Sequence, residues 1–224
     1  MQIVWQDWDE ASQRPRPAFG VVDLYEVKFS QKLRRDELLS DDERDRVTRY
    51  VMERSREQFA IARSCLRIIL SGYVGRSPQS LQFTIASGGK PLLRNDDLHF
   101  NLSHSGDVAL IAVSGQRVGV DVEIARPIPN VASLVQRFFS REEALQFESL
   151  REELRLTAFF HGWTAKEALL KAVGVGLTDL ESCIVDLDPG LSGRVIRFDH
   201  AGEWSLKTMT LARGEIASVV MDVS

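Results

Sequence analysis

The fold and its site are organised around residues 163–171, whose sequence is WTAKEALLK. The apolar spacing predicts a buried helix in which Ala168 and Leu169 face the core. Glu167 and Lys171 are four residues apart and therefore share one face of that helix. Most isolated pairs of this kind are weakly stabilising surface ion pairs, so this stretch alone does not identify a site.

A strand with two acidic residues lies earlier in the chain, at residues 118–123 (VGVDVE). The two-residue period of a strand sends the three valines to one face and Gly119, Asp121 and Glu123 to the other. The two carboxylates repel each other unless they are solvated or neutralised, and Mg²⁺ shared with substrate phosphates would neutralise them. Gly119 is expected to leave room for a ligand. The alternative is a strand with one solvated acidic face.

Helix signals occur twice in the chain with the same layout. Ser-x-x-Glu capping boxes at 40–43 and 140–143 each precede a long helical pattern. Gly72 and Gly75 are predicted to end the first region, and Gly174-Val175-Gly176 to end the second after Val173. Gly75 and Gly176 lie at nearly the same offset from the two boxes. The repetition predicts two similar α+β subdomains with a ligand site in the cleft between them.

Strand patterns surround the helices. Residues 98–104, 108–113 and 118–124 predict a three-stranded antiparallel meander, and residues 183–187, 195–198, 204–211 and 216–223 predict a second one. Further strands are expected at 21–29 and 81–85, and an Arg- and Pro-rich loop at 11–18. The predicted fold class is therefore α+β.

The composition is that of a globular protein, with 224 residues of which 44% are hydrophobic and 27% charged. A net charge of −4 argues against indiscriminate nucleic-acid binding. Cys65 and Cys183 lie in apolar segments without metal-ligand spacing, and we expect reduced, buried thiols. The N-terminus lacks a signal-peptide pattern, and no run approaches the ~18 apolar residues of a membrane span. We therefore expect a cytoplasmic protein with no membrane partner.

Basic residues indicate sites for anions. The first helical region contains seven arginines and no lysine, at positions 44, 46, 49, 54, 56, 63 and 67. Each is either a solvated surface cation or a phosphate ligand, since a planar guanidinium matches phosphate geometry, and the pattern does not choose among them. The turn GGKP at 88–91 offers backbone N–H groups and Lys90, but it is not a Walker loop.

Five segments, taken in order, resemble the 4′-phosphopantetheinyl transferases of the surfactin-synthetase-activating type. They are GKP at 89–91, FNLSHS at 100–105, GVDVE at 119–123, FFS at 138–140 and WxxKEAxxK at 163–171. Together they span most of the chain with compatible gaps. The resemblance implies a monomer of two subdomains related by a pseudo-twofold axis. Residues 1–116 would lie on the adenosine and 3′-phosphate side of coenzyme A, and residues 117–224 would carry the metal-binding and catalytic residues.

The resemblance also implies a reaction. The phosphopantetheine group of coenzyme A would pass to a serine of an apo carrier protein (acyl, peptidyl or aryl carrier), with Mg²⁺ and with release of adenosine 3′,5′-bisphosphate. By motif, the resemblance assigns the metal to three carboxylates and the phosphates to four other side chains: Mg²⁺ to Asp121, Glu123 and Glu167, and phosphate groups to Lys166, Lys171, Ser103 and His104. Lys90 and Pro91 would lie near the adenosine. Arg46 would bind the 3′-phosphate, with Arg49 and Arg54 as alternatives.

For catalysis, we expect Glu167 to be the general base, directly or through a metal-bound water, with His104 as the alternative and Lys171 stabilising charge. Carrier recognition is expected to use the apolar residues 127–139 together with a basic patch. Two other functions remain open at this point. One is a non-catalytic module that binds coenzyme A or a carrier protein, and the other is a metal-dependent phosphohydrolase.

Overall fold

The computed structural model describes residues 1–7, 13–31 and 33–224. The acidic N-terminus and the loop predicted at 11–18 therefore lie partly outside the described residues. Residues 13–18 have irregular backbone, as expected for a segment rich in Arg and Pro.

The described part of the first half of the chain contains six strands and two α-helices. These are β1 (Gln2–Trp5), β2 (Val21–Lys28), α1 (Asp41–Arg49), α2 (Glu53–Val74), β3 (Phe83–Ile85), β4 (Pro91–Leu93), β5 (His99–Ser105) and β6 (Val108–Ser114). The second half contains β7 (Val118–Ile124), α3 (Val131–Phe138), α4 (Arg141–Ser149), α5 (Glu152–Val173), β8 (Cys183–Val185), β9 (Val195–Phe198), β10 (Trp204–Thr210) and β11 (Glu215–Asp222).

The strands form two main sheets. The first has the order β1-β2-β6-β5, in which only the β1–β2 pair is parallel. The second has the antiparallel order β10-β11-β7. The pairs β3–β4 and β8–β9 are separate antiparallel hairpins. The predicted α+β class with antiparallel sheets is therefore confirmed.

The predicted meander over residues 98–124 is wrong in its third strand. β5 and β6 pair as expected, but β7 pairs with β11 in the second sheet. The reason is burial on both faces: Val118, Val120 and Val122 are fully buried, and Asp121 on the opposite face is 2% exposed. As the third strand of a meander, β7 would have one face exposed to solvent. A strand that lies between a sheet and a helix is instead buried on both faces.

The second meander is also divided differently from the prediction. β10 and β11 form one hairpin that joins β7, while β8 and β9 form a hairpin of their own. β9 ends at Phe198, and β10 begins only at Trp204.

Four layers result from these pairings. α2 covers one face of the first sheet, through side chains such as Leu66 and Ile69 against Ile111. The other face packs on the second sheet, where Leu110 and Val120 belong to one apolar cluster. α5 covers the far side of the second sheet. Burial of this apolar surface is the main source of stability.

The two capping boxes are confirmed. Ser40 accepts from the backbone N–H of Glu43, whose side chain accepts in turn from Ser40, and Ser140 and Glu143 repeat this arrangement. Each box starts a nine-residue helix that is followed by a 22-residue helix.

The long helices end at glycines in the left-handed region. Gly75 ends α2 with φ 65°, as predicted, and α5 runs to Val173 and ends at Gly174 with φ 78°, the first residue of the predicted stop at 174–176. Such a φ disfavours residues that carry a Cβ.

The halves repeat element for element. The order β2, α1, α2, β3, β4, β5, β6 corresponds to β7, α4, α5, β8, β9, β10, β11, with β1 as an addition in the first half and α3 in the second. The sheet orders β2-β6-β5 and β7-β11-β10 match as well. Both cysteines are buried and neither forms a disulfide in the described ranges, as predicted. None of the helices in the described ranges is both long and apolar enough to cross a membrane.

Candidate active site

The two halves meet where β5 lies beside β7. Alternate side chains of β5 supply the hydrogen bonds between the two strands. Asn101 Oδ1 accepts from the Val120 N–H at 2.8 Å, and Ser103 Oγ donates to Asp121 Oδ1 at 2.7 Å. Ser105 repeats the pattern by donating to Glu123 Oε2 at 2.8 Å. This junction fixes both carboxylates of the strand predicted to be a cation half-site.

α5 lies directly over β7 at Gly119. A Cβ at this position would lie 1.9 Å from the Ala168 carbonyl oxygen and 2.6 Å from the Ala172 nitrogen. The room that we expected for a ligand beside Gly119 is therefore filled by the helix backbone. The close approach has a different consequence, because it brings Glu167 and Lys171 of α5 to the carboxylate of Asp121.

Lys171 lies among these acidic groups. Its Nζ donates to Asp121 Oδ1 and, at 3.1 Å, to Ser103 Oγ, and it lies 3.3 Å from Glu167 Oε2. Burial by itself would lower the pKa of Lys171, but the charges of Asp121 and Glu167 outweigh it and raise the pKa. Lys171 is therefore a cation at neutral pH.

Burial makes the ionised forms of the Glu167 and Glu123 carboxylates less stable than they would be in water. Burial raises the pKa of Glu167, and the neighbouring charge of Asp121 raises it further. Burial likewise raises the pKa of Glu123, despite the Ser105 hydrogen bond. Ionised side chains in this arrangement would be stabilised by an added cation.

Asp121 supplies a direct sign of a missing partner. Among the described residues, its Oδ2 is the buried side-chain oxygen that has no hydrogen-bond partner. The same residues contain no group of three or more His, Cys, Asp or Glu side chains already arranged to hold a metal. The oxygen donors nonetheless suit a hard divalent cation, and Asp121 Oδ2 is available to it.

A cavity of about 410 Å³ adjoins these carboxylates. The first half lines it with Arg46, Tyr50, Phe59, Arg63, Pro91, Ser103 and His104, and the second half with Asp121, Glu123, Glu167 and Lys171. One wall is thus basic and aromatic and the other is acidic with one lysine. The predicted residues that the fold brings together here come from both halves of the chain.

The basic wall is built on Phe59. The guanidinium carbons of Arg46 and Arg63 lie 5.0 Å and 5.7 Å from its ring centroid. The resemblance assigns Arg46 to the 3′-phosphate, whereas Arg63 is only one of the seven arginines of the first helical region. Its position four residues after Phe59, within the apolar run of α2, is the signal that could have singled it out. Arg49 and Arg54 do not line this cavity.

His104 also lines the cavity, and its ring contacts Phe29 edge-to-face. Partial desolvation lowers the pKa of His104, and the charge of Lys171 lowers it further. The imidazole is therefore neutral at pH 7 and has one ring nitrogen free of a proton.

Lys166 lies outside the cavity, which corrects its predicted contact with phosphate. Its Nζ donates to both carboxylate oxygens of Glu143, at 2.9 and 3.1 Å, and to the Cys183 carbonyl at 2.6 Å. The side chain is fully buried. Successive helical residues point about 100° apart, so Lys166 faces the core while Glu167 faces the cavity. Arg67 forms the matching buried pair with Glu43 in the first half.

Lys90 is a second correction. Its neighbours Gly89 and Pro91 line the cavity, but Lys90 does not. Its Nζ donates to the carbonyls of Val118 at 2.8 Å and Ala172 at 3.0 Å. Burial lowers the pKa of Lys90 to about 7.

A second cavity, of about 310 Å³, lies on the other side of Glu123. Its lining includes Arg54, Gly106, Ile124 and Arg126. Arg126 belongs to none of the motifs that the sequence shows. Glu123 lines both cavities, whereas Asp121 and Glu167 line only the first.

Comparison with known proteins identifies related sequences for both halves. Residues 117–221 match the sequence model of the 4′-phosphopantetheinyl transferase superfamily, and residues 28–116 match that of the N-terminal region of 4′-phosphopantetheinyl transferases. The chain is 38% identical to the 4′-phosphopantetheinyl transferase HetI of Nostoc sp. over 188 residues, which cover 82% of this chain and 78% of that protein.

Two further relatives come from Bacillus. A 4′-phosphopantetheinyl transferase of Bacillus pumilus, psf-1, is 35% identical over 58% of this chain and 51% of its own length. A 4′-phosphopantetheinyl transferase of Bacillus subtilis is 28% identical over 62% of each chain. The sequence match and the α+β fold agree, and the chain belongs to the 4′-phosphopantetheinyl transferase family, whose enzymes transfer phosphopantetheine to carrier proteins.

Proposed function

We propose that this transferase acts in the cavity between its halves, in a Mg²⁺-dependent reaction that releases adenosine 3′,5′-bisphosphate. The observation that carries the proposal is the position of Lys171 beside Asp121 and Glu167, with Asp121 Oδ2 left without a partner. A diphosphate and a divalent cation together would satisfy all of these groups.

The nucleotide part of coenzyme A is assigned to the basic wall. Arg46 and Arg63 would hold the 3′-phosphate, because both line the cavity. Arg63 also lies 3.8 Å from Glu43 Oε1, a distance longer than that of a direct hydrogen bond. Pro91 and Gly89 would border the adenosine, and Ser103 and His104 would contact phosphate groups. Arg49 and Arg54 are not proposed for this role.

Asp121, Glu123 and Glu167 would hold the cation, which would neutralise charge on the diphosphate when bound. Lys171 would stabilise the charge that develops on the leaving phosphate. Glu167 would accept the serine proton, since its raised pKa makes it a better base than an ordinary carboxylate. His104 is the alternative base, because it is neutral at pH 7 and lines the same cavity.

The decisive test is intact-mass analysis of apo carrier proteins incubated with the enzyme, coenzyme A and Mg²⁺. We expect one added phosphopantetheine group, and we expect Asp121→Ala to reduce transfer by at least about a hundredfold while the far-UV circular dichroism spectrum is kept. Near-normal turnover of Asp121→Ala would remove this residue from the site. Coenzyme A binding without transfer to any carrier would favour the non-catalytic binding module.

The carrier is proposed to approach through the second cavity. Arg54 and Arg126 line it beside Ile124, which is 40% exposed, and neither arginine pairs with a carboxylate in the described residues. A partner segment with acidic and apolar side chains would suit this surface. The apolar segment expected to take part, residues 127–139, continues directly from Arg126.

Charge reversal tests this approach. Arg126→Glu should raise KM for the carrier at least about fivefold and weaken its salt dependence, while KM for coenzyme A stays unchanged. Arg194→Glu is a matched control, because Arg194 is exposed and lines none of the cavities described above. Equal carrier KM values for the two variants would contradict the proposed approach.

The division into 1–116 and 117–224 is also part of the proposal. It is supported by the element repeat and by two sequence models that meet at residues 116 and 117. Because each half supplies one wall of the cavity, a monomer would suffice for activity. A cytoplasmic location remains a prediction from the sequence.

A further inference from the structure

The tip of the β3–β4 hairpin rests on the end of α5. A Cβ added to Gly88 would lie 1.7 Å from the Gly174 carbonyl oxygen and 2.9 Å from the Val175 Cα. Real Cβ atoms do not approach backbone so closely, so Gly88 permits a direct contact between the two backbones. The hairpin belongs to the first half of the chain, and α5 belongs to the second.

Lys90 reinforces this contact. It is 8% exposed, and its two hydrogen-bond acceptors, the Val118 and Ala172 carbonyls, both lie in the second half. Ala172 is in the last turn of α5, where carbonyls lack an intrahelical donor and a cation is favourable. Within residues 1–7, 13–31 and 33–224, the acceptors of the Lys90 Nζ are these two carbonyl oxygens rather than carboxylates.

The residues beside these contacts belong to the cavity. Gly89 and Pro91 flank Lys90 and line the basic side, and Lys171 immediately precedes Ala172. We propose that Lys90 is a positioning residue that holds the end of α5, and therefore Lys171, against the nucleotide wall. It does not touch coenzyme A. The inference rests on the proposed roles of the cavity walls.

The test separates turnover from binding. Lys90→Met keeps the length of the side chain but donates no hydrogen bond. We expect kcat to fall at least about tenfold while KM for coenzyme A changes less than about threefold, because displacement of a catalytic group mainly affects the transition state. Lys207→Met, at an exposed lysine of β10, should leave both constants unchanged.

Two results would overturn the proposal. A rise in KM for coenzyme A with kcat retained would show a direct contact between Lys90 and the ligand. A lower Tm with both constants unchanged would show a role in stability alone.

Gly88→Ala provides a second route to the same junction, with Lys90 intact. The added methyl should separate the hairpin from α5 and reproduce the fall in kcat. Gly115→Ala is the control, because a Cβ there meets only the Pro17 carbonyl oxygen, at an ordinary 3.5 Å. Normal kcat in Gly88→Ala would contradict the proposed coupling.

The double variant completes the experiment. Lys90→Met and Gly88→Ala break one junction, so together they should lower kcat little further than either alone. Fully multiplicative losses would contradict a shared role. The kcat of each Lys90 and Gly88 variant is compared with that of the wild-type enzyme. An active Asp121→Ala variant would therefore contradict the proposed site but would not decide the role of Lys90.

Discussion

Adjacent residues in one motif have separate roles here. Lys166 and Glu167 both belong to the segment that suggested a phosphate and metal site, yet Lys166 pairs with Glu143 in the core. The alternation of residues 118–123 correctly placed Asp121 and Glu123 on one face of the strand, where both line the same cavity, because a strand has two faces and one is all valine. Side chains of a helix point in more than two directions. Whether a charged side chain faces the core or the cavity therefore depends on tertiary packing.

Glu123 gives a prediction about pH. Its raised pKa means that, above the ordinary value of 4.5, the folded state binds more protons than the unfolded state. Stability therefore falls as pH rises through the raised pKa, and ionised Glu123 costs stability at pH 7. In the presence of a chelator, so that no divalent cation is bound, Glu123→Gln should raise Tm at pH 7 by up to about 4 °C, as measured by calorimetry.

The same comparison of Glu123→Gln with the wild type at low pH is the control. Near pH 4 the wild-type carboxyl is largely protonated in both states, so the difference in Tm should shrink. A gap that widens toward low pH would contradict this account of Glu123. Phosphopantetheine transfer should be lost in the variant, because a neutral amide is a poorer cation ligand.

At the scale of elements, the short and long helices of each half are joined by a capping glutamate. The sequence identified both capping boxes, because their signature is local. It did not show that Glu43 and Glu143 also pair with buried cations of α2 and α5. Those pairs join residues more than twenty positions apart.

Glu143→Gln tests the importance of the buried pair in the second half. The variant keeps a side-chain oxygen but leaves Lys166 buried without a counter-charge, which should lower the free energy of unfolding by about 3–5 kcal/mol. Adding Lys166→Met should recover part of this loss. Urea denaturation measures both changes, and Glu142→Gln, at an exposed neighbour, should cost less than about 0.5 kcal/mol. Equal effects at positions 142 and 143 would be incompatible with a buried pair.

At the scale of the whole molecule, the internal repeat was visible in the sequence as two capping boxes, while the exchange of β7 into the second sheet was not. Residues 108–113 and 118–124 are separated by a tight turn, and local signals then favour a hairpin. The sheet that β7 joins depends on β11, which follows β7 by about ninety residues and pairs with it through seven aligned residue pairs. No local pattern contains that partner.

The junction between the halves gives the last prediction. β5 and β7 are not partners in either sheet, and the Val120 N–H is satisfied by Asn101 Oδ1. Asn101→Leu preserves size but leaves that buried N–H without an acceptor, which should lower the free energy of unfolding by about 1–3 kcal/mol. The same change should lower kcat, because the alignment of β5 with β7 also carries the bond from Ser103 to Asp121.

Denaturation and turnover must therefore change together in Asn101→Leu. The urea m-value should stay at the wild-type value, since the halves still unfold as one unit. Ser80→Ala, at an exposed serine in the first half, is a polar-to-apolar control that should change neither quantity measurably. If Asn101→Leu loses stability while kcat remains normal, the alignment of the two strands does not set the geometry of the carboxylates, and the site is fixed by α5 alone.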